Sequence, residues 1–302
     1  MGPVSSPAVE PRYVEGADGV PIATWELTRP GPPPRPPLLV AHATGFHALC
    51  YRAMAAGLAD RFRVVGFDCR GHGHSGTPAL DADEDGRIPA MAWERFADDS
   101  LAVVDALHLE GAAGFGHSCG GTVLLLAEQF RPGTFAGIFA YEPVAAPPEF
   151  WARFADFGHD LSTAALRRRA LFPSRAAALA HYAAKPPLSS LQADVLAHYV
   201  EDGFADQADG TVRLRCDPAA EAATFTMAPH AAVWDELDQV ACPTTFSCGG
   251  GASHFGIGAA TALAARVLRG RVDEHAALGH LGPLQDPDEV ALAVVDCLAW
   301  ST

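Results

Sequence analysis

One five-residue stretch near the middle of the chain most constrains its fold. It reads Gly-His-Ser-Cys-Gly over residues 116–120, between an apolar run at residues 112–115 and a helical pattern at residues 122–127. This order predicts a strand, a sharp turn and a helix, with the serine in a strained backbone that only small neighbours permit. The turn lifts Oγ of Ser118 above a sheet and leaves the N–H of Cys119 at a helix start. We therefore predict a nucleophilic serine beside one oxyanion donor.

A second motif, Gly-His-Leu-Gly-Pro over residues 279–283, lies near the end of the chain. A nucleophilic serine needs a general base, and a histidine is the usual one. His280 is therefore a candidate base for Ser118.

Short apolar runs recur along the chain with helical segments between most of them. They occupy residues 38–42, 64–68, 112–116, 137–141 and 244–248. That alternation predicts a parallel sheet with right-handed crossovers. Residues 13–14 and 22–27 flank a turn at residues 18–19 and predict an opening antiparallel pair. Asp98 and Asp99 are expected to begin a helix, where carboxylates favour its dipole.

Four motifs together resemble the α/β-hydrolase superfamily, and they occur in that family's order. Besides the serine turn and the histidine loop, His-Ala-Thr-Gly-Phe at residues 42–46 is similar to the family's oxyanion loop. Asp-Cys-Arg-Gly-His-Gly-His-Ser at residues 68–75 is similar to the turn after its fourth strand. The resemblance covers nearly all of the chain. It implies an α/β fold with a mostly parallel central sheet, helices on both faces, and an oxyanion donor at the backbone N–H of Thr44.

The resemblance also implies a helical cap inserted after strand 6. Residues 144–233 are rich in alanine and helical in pattern, interrupted by a hairpin signal at residues 209–216. We expect this segment to be the cap and residues 1–143 and 234–302 to form the core domain. The cap aromatic residues either line a substrate pocket or pack the cap against the core; they are Trp151, Phe154, Phe157, Tyr182 and Tyr199.

The acidic partner of the histidine is not where much of the family carries it, after strand 7. Residues 248–253 read Cys-Gly-Gly-Gly-Ala-Ser, and no Asp or Glu occurs from residue 240 to residue 272. Some haloalkane dehalogenases of the family place the acid at the end of strand 6 instead. Here the apolar run at residues 137–141 ends in Glu142, which looks like that arrangement. The alternative is that Glu142 is a solvated residue at the hinge of the cap.

Composition excludes several other functions. A formal net charge of −15 argues against nucleic acid, which requires a basic face. No apolar stretch approaches 18 residues, so we expect no membrane span. Residues 1–12 lack the pattern of a signal peptide, and the seven cysteines suit reduced thiols, so a cytoplasmic location is expected.

These observations predict a serine hydrolase that cleaves a carboxylic ester or lactone of a small apolar substrate. Ser118, His280 and Glu142 would form the triad, and the N–H groups of Thr44 and Cys119 would hold the oxyanion. No metal or organic cofactor is expected, and the expected partner is a small-molecule substrate. Amide or C–C bond hydrolysis, a cyclase, lyase or acyltransferase activity, and an inactive binding protein stay open as alternatives, as does the oligomeric state.

Overall fold

Eight strands form the central sheet of the protein. The computed structural model describes residues 10–29, 31, 34–80, 89–145, 147–148, 151–227, 231–250 and 255–298. The core strands are β1 (Arg12–Glu15), β2 (Pro21–Glu26), β3 (Pro37–Ala41), β4 (Arg63–Phe67), β5 (Ala112–His117), β6 (Phe135–Tyr141), β10 (Thr244–Gly249) and β11 (Gly270–His275), in the spatial order β1-β2-β4-β3-β5-β6-β10-β11.

The two N-terminal strands are antiparallel and all later neighbours are parallel. β1 pairs with β2 and β2 with β4 in antiparallel register, which confirms the predicted opening pair. Parallel pairing then runs from β4 across the sheet to β11. The predicted mostly parallel sheet is therefore present. β11 has no counterpart among the apolar runs of the sequence, because this edge strand reads Gly-Arg-Val-Asp-Glu-His and is mostly exposed.

Helices cover both faces of the sheet because side chains alternate along each strand. In β3, Leu39 and Ala41 face one hydrophobic cluster while Leu38 and Val40 face the other. The first cluster is covered by α2 (Trp93–Leu107), α3 (Cys119–Phe130) and α9 (Ile257–Ala264), and the second by α1 (Arg52–Leu58) and α11 (Pro287–Leu298).

The segment that follows β6, which we predict to be a cap, contains both helices and strands. Its elements are α4 (Trp151–Leu166), β7 (Leu171–Phe172), α5 (Arg175–Ala183), α6 (Ala193–Gly203), β8 (Phe204–Asp206), β9 (Val212–Leu214), α7 (Pro218–Thr226) and α8 (Ala231–Asp235). β8 and β9 form the predicted hairpin, and β7 joins β9 to give a small antiparallel sheet. The second hydrophobic cluster of the core continues into α5 and α6.

Asp99 lies in the middle of α2, so the expectation that it begins a helix is wrong. Its carboxylate is buried and accepts two 2.7 Å hydrogen bonds from the guanidinium of Arg70. It also accepts the N–H of Ala17 at 2.8 Å. Asp99 therefore joins α2 to the turn after β4 and to the N-terminal hairpin. Among the described residues, none of the helices is long and apolar enough to cross a membrane.

Candidate active site

Ser118 lies on the sharp turn between β5 and α3 that the sequence predicts. Its φ of 54° and ψ of −117° are a conformation that side-chain-bearing residues rarely adopt. A Cβ on Gly116 would lie 2.5 Å from Cα of Gly121, and one on Gly120 would lie 2.1 Å from the carbonyl oxygen of Ala41. Both glycines are therefore required by close backbone approach at this turn.

Glu142 is placed beside Ser118 by the register of the sheet. β5 and β6 pair in parallel with His117 opposite Tyr141, so the residue after each strand emerges at the same edge. The N–H of Glu142 donates to the carbonyl of Ser247 at 2.8 Å, and the residue is only 1% exposed. The alternative of a solvated hinge residue is therefore wrong.

The carboxylate of Glu142 joins two loops at this edge. Oε1 accepts the N–H of Gly249 at 2.8 Å, and Oε2 lies 2.7 Å from Nδ1 of His280. Because an ionised carboxylate only accepts, Nδ1 of His280 carries a proton, and in the neutral imidazole the lone pair is then on Nε2. The His280 side chain remains 34% exposed and, like Ser118, borders the same cavity. Residues 251–254, in the loop after β10 where much of the family carries its acid, lie outside the described residues.

The two predicted oxyanion donors belong to different segments of the core. Thr44 borders the cavity with Ser118, and Cys119 begins α3. The loop of Thr44 is held by buried His42, whose Nδ1–H donates to Ala43 and whose Nε2 accepts from Cys69, both at 2.8 Å. Burial lowers the pKa of His42 to about 4, so the ring stays neutral and keeps this arrangement.

Cys119 does not offer a second nucleophile. Burial raises the pKa of its thiol to about 12, so the reactive thiolate is not populated at neutral pH. Within the described ranges, no three His, Cys, Asp or Glu side chains gather in a group that could hold a metal ion.

Most of the chain matches the sequence pattern of one known family. A model described as the alpha/beta hydrolase family matches residues 38–294. The chain belongs to the alpha/beta hydrolase family. This alpha/beta hydrolase is 32% identical over 101 residues to the magnesium-chelatase 30 kDa subunit of Rhodobacter capsulatus, a match that spans 33% of each chain. It thus spans about a third of the length of that relative.

Solved structures share the fold across nearly the whole chain. E-2-(acetamidomethylene)succinate hydrolase superposes with a TM-score of 0.78 at 20% identity, covering 97% of this chain and all of that one. An esterase of M. tuberculosis superposes with a TM-score of 0.71 at 24% identity, covering 98% of this chain and 94% of that one.

A cavity of about 720 Å³ in this alpha/beta hydrolase is lined both by residues of the segment after β6 and by residues around Ser118 and His280. Among the aromatic residues that the sequence analysis named for the cap, Tyr199 borders the cavity. Tyr182 packs against the ring of Tyr199, with ring centroids 5.4 Å apart. For Trp151, Phe154 and Phe157 the structure describes the backbone but not the side chains. Four aromatic residues that the sequence did not single out also line the cavity: Phe46, Trp93, Phe225 and Phe255. They are scattered along the chain without a shared motif.

His117, next to the serine, is part of a buried hydrogen-bond chain. Its Nε2 lies 2.8 Å from the backbone carbonyl of His280, and its Nδ1 lies 2.7 Å from the hydroxyl of Tyr51. The same hydroxyl accepts the N–H of Ala43 at 3.1 Å. Sequence reasoning missed Tyr51, because no motif signals a contact 66 residues away.

Proposed function

We propose that this alpha/beta hydrolase is a serine hydrolase that cleaves carboxylic esters or lactones through an acyl-enzyme. The observation that supports it most is the 2.7 Å contact between Nδ1 of His280 and Oε2 of Glu142, beside a cavity that Ser118 also borders. A carboxylate held there fixes the imidazole tautomer in which Nε2 can accept a proton.

In the first half-reaction, Oγ of Ser118 attacks the substrate carbonyl and its proton passes to Nε2 of His280. The backbone N–H groups of Thr44 and Cys119 stabilise the oxyanion of the tetrahedral intermediate. As that intermediate collapses, the bond to the leaving oxygen breaks and His280 returns the proton to it. The alcohol leaves and the acyl group stays on Ser118. For a lactone, the alcohol remains tethered to the acyl group.

In the second half-reaction, water attacks the acyl-serine while His280 takes one of its protons. Collapse of the second intermediate releases the carboxylic acid and returns the proton to Ser118. Glu142 stays ionised throughout and stabilises the imidazolium of His280. No step requires a metal or an organic cofactor.

The cavity supports a small and largely apolar substrate. Leucine, alanine, methionine and aromatic side chains form most of its wall, and Phe255 stacks on the ring of His280 at 5.3 Å. The name of the M. tuberculosis structural relative, an esterase, agrees with ester chemistry on this fold. We assign residues 144–233 as the cap that covers the substrate and residues 1–143 and 234–302 as the core that carries the catalytic groups. A small molecule in the cytoplasm, rather than nucleic acid or a membrane, is the proposed partner.

A fluorophosphonate and a chromogenic ester test the proposal. The folded protein should hydrolyse p-nitrophenyl butyrate and take up one phosphonate, which peptide mass spectrometry should map to Ser118. Ser118→Ala should lose both properties, whereas Cys119→Ala should still be labelled. Hydrolysis in ¹⁸O-labelled water should place one label in the released acid. Labelling at another residue, or full ester turnover by Ser118→Ala, would contradict the assignment.

A further inference from the structure

One polar cluster interrupts the apolar part of the cavity wall. Arg168, Tyr199 and Glu221, all in the cap, border the cavity together. Nη1 of Arg168 lies 2.7 Å from Oε1 and 2.6 Å from Oε2 of Glu221, and its Nη2 donates to the hydroxyl of Tyr199. Both charged side chains are largely buried, with 15% and 8% of their surfaces exposed. A buried pair of this kind is costly in desolvation, which calls for an explanation at a substrate-facing position.

The cluster lies directly beside the predicted oxyanion loop. A Cβ placed on Gly45 would be 2.4 Å from Oε1 of Glu221 and 3.5 Å from Nη1 of Arg168. Gly45 follows Thr44, whose N–H is the proposed oxyanion donor, and its φ of 80° further favours glycine. The Arg168–Glu221 pair therefore packs against the residue next to the proposed oxyanion donor, in the cavity that Ser118 also borders.

The charges of the pair cancel within the cavity wall. Burial alone would lower the pKa of Arg168, but the Glu221 carboxylate and the neighbouring Tyr182 hydroxyl together outweigh it and raise that pKa, so the guanidinium stays charged. An anionic substituent would approach Arg168 and Glu221 together, and repulsion by Glu221 would offset the attraction of Arg168.

Neutral hydrogen-bonding groups meet a different environment there. Glu221 has lone pairs that Arg168 does not use, and Arg168 has N–H groups beyond those given to Glu221 and Tyr199. A hydroxyl both donates and accepts one hydrogen bond, so it can engage both partners at once. An apolar substituent would displace water from the Glu221 carboxylate and the Arg168 N–H groups without offering them a hydrogen bond.

We propose that the Arg168–Glu221 pair selects esters whose acyl group is uncharged and carries a hydroxyl close to the reacting carbonyl, and that it rejects acyl groups bearing a carboxylate. This inference rests on the proposed ester hydrolase activity and specifies its substrate class.

Three esters with the same leaving group test the selection in the unmodified protein. They are p-nitrophenyl butyrate, p-nitrophenyl 3-hydroxybutyrate and mono-p-nitrophenyl succinate. We expect kcat/KM to be about 10-fold higher for the hydroxybutyrate than for the butyrate, the effect of one hydrogen bond to a charged group. The succinate should be at least about 10-fold poorer than the butyrate, which corresponds to about 1.4 kcal/mol.

Glu221→Gln should remove the discrimination against the anion. It keeps the size of the side chain but frees the charge of Arg168, so the succinate-to-butyrate ratio of kcat/KM should rise by at least about 10-fold. Asp206→Asn is the matched control, because it removes one negative charge from an exposed ion pair of the cap with Arg175. The control should leave the ratio unchanged. If Glu221→Gln does not fold, as judged by thermal melting, Tyr199→Phe serves instead, because it frees an N–H of Arg168 for the substrate hydroxyl and should increase the hydroxybutyrate preference.

The outcomes separate the two proposals. Comparable turnover of all three esters by the wild type would overturn the selection and leave the proposed hydrolase function intact. So would a folded Glu221→Gln variant with an unchanged succinate-to-butyrate ratio. If the wild type hydrolyses none of the esters and resists the fluorophosphonate, the hydrolase proposal fails and the selection fails with it.

Discussion

The imidazole of His117 donates its Nε2–H to the backbone carbonyl of His280 over 2.8 Å. A carbonyl oxygen only accepts hydrogen bonds, so the proton of His117 is on Nε2 and its Nδ1 is an acceptor. Nδ1 accepts a hydrogen bond from the hydroxyl of Tyr51 at 2.7 Å. Burial lowers the pKa of His117 well below its ordinary value, which keeps the ring neutral and preserves this directionality. The hydroxyl of Tyr51 also accepts a hydrogen bond from the N–H of Ala43. This series of hydrogen bonds therefore connects the loop of Thr44 to the loop of His280.

This connection predicts a kinetic effect of residues that do not touch the substrate. His117→Leu should lower kcat by about tenfold, since a lost hydrogen bond of about 1.4 kcal/mol would let His280 shift from its position. KM should change little, because the cavity wall is intact. His117→Gln retains an N–H donor and should recover part of the loss. Steady-state kinetics at saturating p-nitrophenyl butyrate, with melting curves to verify the fold, would check this. A rise in KM at constant kcat would contradict a positioning role.

Glu142→Gln should abolish most turnover, because it should change which ring nitrogen of His280 carries the proton. The amide N–H₂ of glutamine would donate to Nδ1, forcing the proton onto Nε2, which could then no longer accept from Ser118. By analogy with other triads, kcat should fall by up to about 10⁴. Glu128→Gln provides the control, because Glu128 is equally buried and accepts two backbone N–H groups far from the serine turn. Retention of more than about a tenth of wild-type kcat by Glu142→Gln would place the acid elsewhere.

Local sequence patterns could predict some parts of the candidate site but not others. The turn at Ser118 and the carboxylate at the end of β6 are encoded in adjacent residues, so local patterns predict them. The pairing of Glu142 with His280 could be predicted from the resemblance to a family arrangement. Parallel pairing of β5 and β6 explains why Ser118 and Glu142 share one edge of the sheet. The apolar strands of the core were predictable for the same local reason, whereas the exposed edge strand β11 carries no apolar signal.

Contacts across the fold were beyond local patterns. The Arg168–Glu221 pair joins residues 53 apart, and each alone reads as an ordinary charged residue of a helical cap. Asp99 was assigned to a helix start from its neighbours, but its burial depends on Arg70 from another turn. Only the packing of α2 on the sheet brings those two side chains together.

The oxyanion loop makes a prediction about the backbone of residue 44. Because the proposed donor is an N–H, Thr44→Ala should keep most activity, whereas Thr44→Pro removes the donor. Loss of one oxyanion donor typically costs about 10²–10³ in kcat. Both variants replace the same side chain, so their difference reports on the backbone N–H. For both, kcat and the melting temperature should be measured. Equal kcat of wild type and a folded Thr44→Pro variant would show that the oxyanion is held by other groups.

His275 gives a prediction about stability rather than catalysis. Its Nδ1 lies 2.6 Å from Oε1 of Glu289, and its Nε2 lies 2.9 Å from Oδ2 of Asp273, so it ties the edge strand β11 to α11. Burial alone would lower the pKa of His275, but the hydrogen bonds and charges of the two carboxylates outweigh it and raise that pKa.

A histidine whose pKa is raised by folding stabilises the native state when it is protonated. That contribution is fully present below the ordinary pKa of about 6.5 and is lost as the pH rises through the raised native value. The Tm difference between wild type and His275→Gln should therefore be about 2 °C or more larger at pH 6 than at pH 9, which corresponds to about 1 kcal/mol. Glu274→Gln changes an exposed charge on the same strand and should leave the Tm difference nearly independent of pH. A His275→Gln difference that is constant, or larger at pH 9, would mean that His275 is neutral in the native protein.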